Sequence, residues 1–424
     1  MIRIIEDGVK ERAEIFQAAL KKPDVSEIVS EILARVKNEG DRALKEYSEK
    51  FDKAKLTSLR VTEAEMDEAF SSVEPEFLEV LKKAADNIRA FHALQKREGF
   101  VLKREDGSLV GQKVLPIERA GLYVPGGTAA YPSTVLMDAI PAVVAGCQRV
   151  VMVSPPNQEG KINPVILAAA RIAGVTEIYK VGGAQAIAAL AYGTESVPKV
   201  DKIVGPGNAF VAEAKRQVFG EVNIDMIAGP SEILVVADGK NDPKHIAADL
   251  LSQAEHDKMA SAVLVTDDGE FALRVAEEIE RQIPLLERAE IARASIDGNG
   301  KIIVTRDLQQ AIEIANGIAP EHLELCVDEP FVWLEKVRHA GSVFLGRYCP
   351  EAIGDYFAGA NHTLPTSGSA RFSSPLSVDD FIKKTQYIYY DEKALRGVCK
   401  DVEYFAKKEG LTAHAKSAVV RFEE

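Results

Sequence analysis

Two short segments combine residue types and spacings that could support metal binding or acid–base chemistry. Gln253 and His256 lie three positions apart at the end of a predicted helix, so their side chains share one face and could hold a metal or a substrate. Glu321 and His322 lie at a turn between a predicted helix and a predicted strand, where a carboxylate and an imidazole suit general acid–base catalysis. A polar helix end and a helix-capping turn remain open as structural explanations.

A third candidate region is the stretch from Tyr348 to Asp379, which is predicted to be irregular. It contains Asp355 and His362, and long ordered loops in compact domains are usually functional. Carboxylate and imidazole groups suit a zinc site with mixed nitrogen and oxygen ligands. His414 lies near the C-terminus, where a histidine is more often incidental. Because these residues are far apart in the sequence, spacing alone cannot assemble them into one site.

Four glycine-rich segments could let backbone amides approach a phosphate or a cofactor. They are interpreted as strand-to-helix turns, which lie at the ligand-binding edge of a doubly wound sheet. The four segments are Gly121–Thr128, Val181–Gln185, Gly205–Asn208 and Ala228–Glu232. None matches GxGxxG with an acidic residue about 20 positions later, so a standard dinucleotide fingerprint is absent.

Apolar runs alternate with helical patterns from about residue 149, which predicts parallel sheets with helices on both faces. One sheet rarely absorbs so many strands, so two doubly wound units are expected. The predicted strands are Val150–Val153, Ile178–Val181, Lys202–Val204, Ile233–Val236, Ala262–Val265, Ile302–Val304, Leu323–Cys326 and Val343–Leu345. Residues 1 to about 115 are expected to be helix-rich, with His92 on a solvated surface. Residues after about 377 are expected to return to helix.

The composition is that of an ordinary globular protein. The 424 residues are 46% hydrophobic and 28% charged, close to globular averages. The formal net charge of −13 argues against nonspecific binding to nucleic acid or to an anionic membrane, and no stretch approaches the ~20 apolar residues of a membrane helix. Four cysteines without CxxC spacing fit a reducing compartment. A soluble cytoplasmic enzyme is therefore expected.

Taken together, these segments resemble the histidinol dehydrogenase family, in order, from about residue 120 to residue 414. The most specific match is the block from Val181 to Gln217. The other matching runs are Gly121–Gly127, Ala228–Glu232, Asp249–His256, Pro320–His322, Ala340–Gly346, Gly354–Tyr356, Asn361–Pro365 and Leu411–His414. The first hundred residues match only loosely.

The resemblance implies an α/β fold with two incomplete dinucleotide-binding-like, doubly wound domains and small helical head and tail segments. The implied head is 1–20, and the first α/β domain is discontinuous, at 21–122 and 232–376. The second α/β domain, with a glycine-rich NAD crevice, is 123–231. The tail, 377–424, would take part in an intertwined homodimer.

The resemblance also implies an enzyme that depends on zinc and NAD⁺. It would oxidise L-histidinol through L-histidinal to L-histidine, the last step of histidine biosynthesis, and reduce two NAD⁺. One zinc per subunit would be held by Gln253, His256, Asp355 and His414, the last from the other subunit. NAD⁺ would contact Tyr123, Gln185 and Asn208. The substrate would contact Ser231, Gln253, His256, His322, Asp355, Glu409 and His414.

Two residues receive catalytic roles from the same resemblance. His322 would act as general base in both oxidations, and Glu321 would activate the water that converts the aldehyde to its hydrate. His362 is a secondary candidate, placed near the substrate by its loop. Zinc would act mainly by orienting the substrate.

Other functions remain open from the residues themselves. A relative could oxidise a different small alcohol, although Ser231 and Glu409 favour histidinol. A zinc hydrolase in which Glu321 activates water would need no NAD⁺. A thiol-dependent aldehyde dehydrogenase would need a reactive Cys147 or Cys349, for which a buried structural role is the better interpretation. A non-catalytic binding module is disfavoured because every proposed catalytic position is filled.

Overall fold

The computed structural model describes residues 2–6, 15, 24–126 and 130–423, so most of the implied head segment 1–20 lies outside the described residues. The strands are β1 (Arg3–Glu6), β2 (Phe100–Lys103), β3 (Leu109–Pro116), β4 (Arg119–Tyr123), β5 (Arg149–Ser154), β6 (Glu177–Lys180), β7 (Lys202–Val204), β8 (Asn223–Ile224), β9 (Glu232–Ala237), β10 (Ser261–Thr266), β11 (Lys301–Val304), β12 (His322–Cys326), β13 (Ser342–Leu345) and β14 (Ile382–Tyr389).

The α-helices connect these strands. They are α1 (Ser26–Glu39), α2 (Asp41–Tyr47), α3 (Glu63–Ser72), α4 (Pro75–Ala93), α5 (Pro132–Ala145), α6 (Pro164–Ala173), α7 (Gly183–Tyr192), α8 (Ala209–Val218), α9 (Pro243–Ala254), α10 (Gly269–Gln282), α11 (Ala289–Asn299), α12 (Leu308–Ile318), α13 (Pro330–Leu334), α14 (Glu351–Tyr356), α15 (Glu392–Lys408) and α16 (Thr412–Val419). The chain divides into a larger unit, Met1–Gln95 with Ile117–Phe381, and a smaller unit, Lys96–Pro116 with Ile382–Glu424.

The first sheet of the larger unit has five parallel strands in the order β6-β5-β4-β7-β8. Because β4 comes first in the chain, the strand order reverses between β4 and β7. At such a reversal the loops that follow the two strands diverge and leave a crevice at the carboxyl edge of the sheet. Helices cover both faces, and the strand residues Val151, Met152 and Ile203 are fully buried.

The second sheet has six parallel strands in the order β1-β11-β10-β9-β12-β13. Its order reverses between β9 and β12, and β1 is added at the far edge. Alternate residues of β9 face two separate apolar clusters: Ile233 and Val235 belong to one, and Leu234 and Val236 to the other. Two doubly wound parallel sheets confirm the predicted α/β class.

The helices before residue 94 pack on the five-stranded sheet. Val29 and Leu44 belong to the cluster on one face of this sheet, and Ala85 and Ile88 to the cluster on the other. The implied domain division groups 21–122 with 232–376. The packing instead places α1 to α4 and β4 with the five-stranded sheet. An apolar helix face shows that a helix is covered but not which sheet covers it.

The smaller unit contains an antiparallel sheet that the sequence analysis missed. Its strands run in the order β14-β3-β2, and β14 pairs with β3 from Ile382↔Pro116 to Tyr389↔Leu109. The expectation of helix up to residue 115 is therefore wrong for the segment from Phe100, although α3 and α4 agree with it. The tail does return to helix in α15, which Asp391 caps by accepting a hydrogen bond from the Ala394 amide at 2.8 Å.

The predicted elements of the body are confirmed, and every strand predicted from residue 150 onward is present to within one residue at either end. His92, assigned to the solvated surface, is fully buried instead. Its Nδ1 lies 2.7 Å from Oε1 of Gln95, so a hydrogen bond compensates the burial of the ring. Among the described helices, none is both long and apolar enough to cross a membrane.

Candidate active site

Glu321 and His322 lie at the amino end of β12, directly beside the start of β9. The Nδ1 atom of His322 lies 2.9 Å from the carbonyl oxygen of Glu232. Because a carbonyl only accepts, Nδ1 carries the hydrogen of the neutral ring and Nε2 is the basic nitrogen. Nε2 is buried and has no hydrogen-bond partner among the described residues. Burial lowers the pKa of His322 to about 4, so the ring is neutral at pH 7 and can accept a proton.

The carboxylate of Glu321 is fixed by the same residue of β9. Its Oε2 accepts a hydrogen bond from the Glu232 amide at 2.8 Å and lies 3.7 Å from Nδ1 of His322. Burial raises the pKa of Glu321 well above its usual range. A carboxylate with a raised pKa is the stronger base once it is ionised. The turn therefore presents two oriented proton acceptors.

Two acidic residues, the buried Glu351 and the partly buried Asp355, face His322 from helix α14. Glu351 and Asp355 lie four residues apart, so they share one face of this helix, which replaces the irregular structure predicted there. Oε1 of Glu351 lies 3.7 Å from Nε2 of His322 and has no hydrogen-bond partner in the described part of the chain. Ligand atoms of His322, Glu351 and Asp355 all lie within 4.8 Å of one another, so the three residues could hold a metal ion.

Charge differs sharply between the two carboxyls of this pair. Burial and the charge of Asp355 raise the pKa of Glu351 to about 8. Burial acts in the same direction on Asp355, but His362, whose Nδ1 lies 3.4 Å from the carboxylate, outweighs it and lowers the pKa of Asp355 to about 2. Burial would lower the pKa of His362, but Asp355 raises it overall. The neighbourhood thus holds Asp355 as an anion, a state suited to binding a cation.

Gln253 and His256 approach this group from the end of α9. The helix ends at Ala254, so Gln253 lies in its last turn, and His256 lies just beyond it with its amide donating to the Gln253 carbonyl at 3.1 Å. The Gln253 side chain is 1% exposed, yet neither Oε1 nor Nε2 reaches hydrogen-bond geometry with any described residue. An unpaired buried amide is costly, so a ligand at this position would satisfy it. Burial lowers the pKa of His256, and the charge of nearby Asp355 opposes that change.

The metal-ligand set predicted from the sequence is only partly assembled by these contacts. Asp355 is common to that set and to the observed three-residue group, and Gln253 and His256 lie beside it. Glu409 and His414 belong to the smaller unit, where Glu409 is the C-cap residue that follows α15 and His414 is an exposed residue of α16. Ser231, predicted to contact substrate, is partly buried immediately before β9.

The residues predicted to contact NAD⁺ lie at the carboxyl edge of the five-stranded sheet. Tyr123 ends β4, and its hydroxyl accepts a hydrogen bond from the Gly183 amide at 3.1 Å. Gln185 is buried in the first turn of α7. Oδ1 of Asn208 caps α8 by accepting from the amides of Phe210 at 3.1 Å and Val211 at 3.2 Å, so its Nδ2 group takes no part in the cap.

Glycines let the loops of this edge approach one another closely. A Cβ atom on Gly205 would lie 2.2 Å from the carbonyl oxygen of Tyr123, and one on Gly182 would lie 2.5 Å from the Pro155 side chain. The loops after β4, β5, β6 and β7 thus converge beside the reversal in strand order. The first glycine-rich segment is only partly a loop, since β4 continues to Tyr123, and its residues 127 and 128 lie outside the described residues.

The segment Ala228–Glu232 is predicted to be a strand-to-helix turn, and this prediction is wrong. It connects β8 of one sheet with β9 of the other, and the Gly229 amide donates to Oγ1 of Thr366 at 2.5 Å. It therefore leads to the amino end of β9, next to Glu321 and His322. Catalytic candidates thus lie at the amino edge of the six-stranded sheet, whereas the glycine-rich loops lie at the carboxyl edge of the five-stranded sheet.

Sequence analysis missed two residues of this site. Glu232 acts through its peptide group, which no residue-type pattern reveals. Glu351 could have been found from its position four residues before Asp355, because that spacing places both on one helix face.

Cys147, one of the two candidate thiols, is not prepared as a nucleophile. All four cysteines are free, and burial raises the pKa of the Cys147 thiol to about 12, which disfavours the reactive thiolate.

Comparisons with known proteins decide the family. Residues 16–422 match the family profile described as histidinol dehydrogenase. The chain belongs to the histidinol dehydrogenase family. Histidinol dehydrogenases of Clostridium acetobutylicum and Geobacillus kaustophilus are 53% and 57% identical to it, over 100% and 93% of this chain and 99% and 93% of their own lengths.

A solved histidinol dehydrogenase has the same fold. The crystal structure from Elizabethkingia anophelis is 40% identical, covers 99% of this chain and 98% of its own, and gives a TM-score of 0.94. Membership in the histidinol dehydrogenase family makes this chain an oxidoreductase of histidine biosynthesis and confirms the resemblance on which the sequence analysis depends.

Proposed function

We propose that the chain oxidises L-histidinol through L-histidinal to L-histidine and reduces two NAD⁺ in the process. The observation that carries this proposal is the orientation of His322, whose Nδ1–H is held by the Glu232 carbonyl while its buried Nε2 is free to accept a proton. An alcohol loses a proton as its carbon loses a hydride, so a neutral, oriented imidazole is the group that this oxidation requires.

His322 takes the hydroxyl proton of histidinol in the first step. The product aldehyde then adds water: Glu321 removes a proton from that water as the carbon–oxygen bond forms, and the former carbonyl oxygen takes up the proton that His322 gained in the first step. The hydrate has a hydroxyl group again, so His322, after releasing its first proton, acts a second time while the second hydride leaves. Each oxidation removes one hydride and one proton from the substrate.

Gln253, His256, Asp355 and His414 would hold one zinc ion per subunit, with His414 supplied by the other subunit of a homodimer. Amide oxygen, imidazole and carboxylate donors fit zinc, and the unpaired amide of Gln253 is the observation that favours a ligand there. When bound, zinc supplies a fixed positive charge that orients the imidazole and amine of the substrate. Ser231 and Glu409 would complete the substrate site, and His362 holds Asp355 ionised beside it.

NAD⁺, the hydride acceptor, would bind at the converging glycine-rich loops. Tyr123, Gln185 and Asn208 would contact it there, with Nδ2 of Asn208 as a donor. The position beside a reversal of strand order supports this placement. A tail at 377–424 used in dimerisation and a cytoplasmic location belong to the same proposal.

The decisive measurement is the number of NADH formed per L-histidinol consumed, before and after chelation. Two NADH per substrate, lost on chelation and restored by zinc, are expected. One NADH would contradict the role of Glu321 in activating water. No NADH from the zinc-loaded protein would overturn the two-step reaction and require trials of other small alcohols.

A further inference from the structure

A buried ion pair clamps the loop to which the cofactor role of Asn208 is assigned. Nζ of Lys215, on α8, forms an ion pair with Asp225, and the two side chains are 2% and 1% exposed. Lys215 also donates to the carbonyl oxygen of Gly205 at 3.0 Å, and Asp225 accepts from the Gly205 amide at 2.8 Å. The pair therefore binds both the amide and the carbonyl group of one glycine.

Gly205 is the residue at which β7 turns into the loop Gly205–Asn208. Its φ of +113° lies in the region that only glycine adopts readily, and a Cβ atom would collide with the Tyr123 carbonyl. The loop leads directly to Asn208, the N-cap of α8. The orientation of Gly205 thus sets the direction in which the three following residues leave the sheet.

Stability alone does not explain charges in this position. Removing two charged groups from water costs several kcal/mol, and well-packed apolar replacements of buried ion pairs are often neutral or stabilising. A third buried acid, Asp138, adds to the cost, because its Oδ2 would lie 2.9 Å from a Cβ atom on Gly205 and has no described hydrogen-bond partner. The ion pair provides a donor and an acceptor directed at the backbone of one glycine, which an apolar pair cannot provide.

We propose that Lys215 and Asp225 are positioning residues that hold the Gly205–Asn208 loop in its cofactor-binding conformation. The inference rests on the proposed binding of NAD⁺ at Asn208. The pair lies behind the loop and acts through the Gly205 peptide, so it sets the affinity for the cofactor rather than the rate of proton transfer at His322.

The test compares Lys215→Met with a matched variant, Lys202→Met. Lys202 is also a buried lysine paired with an aspartate, Asp380, at 2.8 Å, but it starts β7 and does not contact the loop. NADH is titrated by fluorescence into chelated protein without substrate, at a temperature where circular dichroism shows each variant folded. For Lys215→Met the Kd for NADH is expected to rise by about tenfold, the loss of roughly one charged hydrogen bond. For Lys202→Met it is expected to stay within about twofold, well inside the effect of a single hydrogen bond.

Steady-state kinetics of the zinc-loaded enzyme give a second readout. The KM for NAD⁺ is expected to rise in Lys215→Met, while kcat at saturating NAD⁺ and the KM for histidinol are retained. Equal loss of NADH affinity in both lysine variants would mean that Lys215 contributes only to the stability of the fold, and it would overturn the inference. If Lys215→Met does not fold, Asp225→Asn takes its place in the same comparison. This variant keeps an oxygen acceptor for the Gly205 amide, and its Kd for NADH is also expected to rise.

Asn208→Ser separates this inference from the proposed function, because serine keeps the helix cap and removes the amide donor. Weaker NADH binding in Asn208→Ser but not in Lys215→Met would overturn the positioning role alone. Unchanged NADH binding in both would overturn the assignment of the loop to the cofactor and the inference with it. Weaker binding in Lys215→Met alone would support positioning of the loop backbone and remove the role of Asn208.

Discussion

At the scale of single residues, the backbone of Glu232 orients two side chains at once. Its amide binds Glu321 and its carbonyl binds His322, so the tautomer of the imidazole follows from backbone geometry. The adjacent carboxyls of Glu351 and Asp355 then differ in protonation because their imidazole neighbours differ: the pKa of His362, beside Asp355, is raised, whereas the pKa of His322, beside Glu351, is lowered.

Replacing His322 by asparagine tests the proton acceptor. We expect kcat to fall by about 10²- to 10⁴-fold, the usual contribution of a positioned base, with the zinc content unchanged. His339→Asn, a partly exposed histidine outside the site, serves as the control and is expected to retain wild-type kcat. A His322→Asn enzyme with wild-type kcat would exclude this residue as the base.

Asp138 makes stability depend on pH. Burial, and then the charge of Asp225, raise its pKa to about 7, whereas Thr363, His362 and Lys215 act in the opposite direction. The unfolded carboxyl ionises near pH 4 and the folded one near pH 7, so the native state holds the extra proton between these values. The free energy of unfolding therefore falls as pH rises from about 4 to 7.

Asp138→Asn is expected to remove up to about 4 kcal/mol of that pH dependence. The asparagine oxygen can still accept from Thr363, so the variant keeps this contact. Urea denaturation of both proteins at pH 4 and pH 8 measures the difference. Identical slopes of unfolding free energy against pH would show that Asp138 is ionised in the folded protein.

At the scale of elements, the two sheets would contribute opposite edges to the proposed site. The five-stranded sheet contributes the loops after its strands, as doubly wound sheets usually do, whereas the six-stranded sheet contributes the amino ends of β9 and β12. Hydrogen bonds from Asn361 to the Met137 carbonyl at 2.7 Å and from Thr363 to Asp138 at 2.9 Å tie the segment that follows α14 to α5.

Alanine substitutions at two glycines test the geometry of the turn from β7 to α8. Gly205→Ala and Gly220→Ala both place a side chain at positive φ, but only at Gly205 does the added Cβ meet a backbone atom, whereas Gly220 has open space around it. We expect Gly220→Ala to lower the unfolding free energy by about 1–2 kcal/mol. Gly205→Ala should cost about 1–3 kcal/mol more, from overpacking, and weaken NADH binding. Urea denaturation and NADH titration measure both effects. Equal losses of unfolding free energy in the two variants would show that the loop shifts to accommodate the added Cβ atom.

At the scale of the whole molecule, the proposal predicts that each active site is shared between two subunits. His414 and Glu409 belong to the smaller unit, and their roles in zinc and substrate binding require a second subunit under the proposal. Mixing inactive His414→Ala and His322→Ala chains distinguishes the arrangements. If the other subunit supplies His414, each hybrid dimer has one intact site, and full exchange restores about a quarter of wild-type activity.

The mixing experiment needs proof that subunits exchange. Chains with different affinity tags, co-purified after mixing, provide it. Exchanged hybrids without any activity would mean that His414 acts within its own subunit, and the proposed role of the tail would then be wrong.

The sequence by itself determined the elements of the body and the residue types of the site. Strand periodicity and the glycine-rich runs are local signals, so the strands from residue 150 onward are predicted almost to the residue. The same local signals could not say which sheet covers α1 to α4, or that Phe100–Lys103 would pair with β3, because strand pairing and packing depend on distant partners.

Tertiary structure alone decided how the site works. Its decisive features arise between residues distant in the chain or through the backbone. They are the burial of His92, the tautomer of His322, the different protonation of Glu351 and Asp355, and the hydrogen bonds of Lys215 and Asp225 to Gly205. Desolvation and directed hydrogen bonds set these properties, and both exist only once the two sheets have folded around the residues.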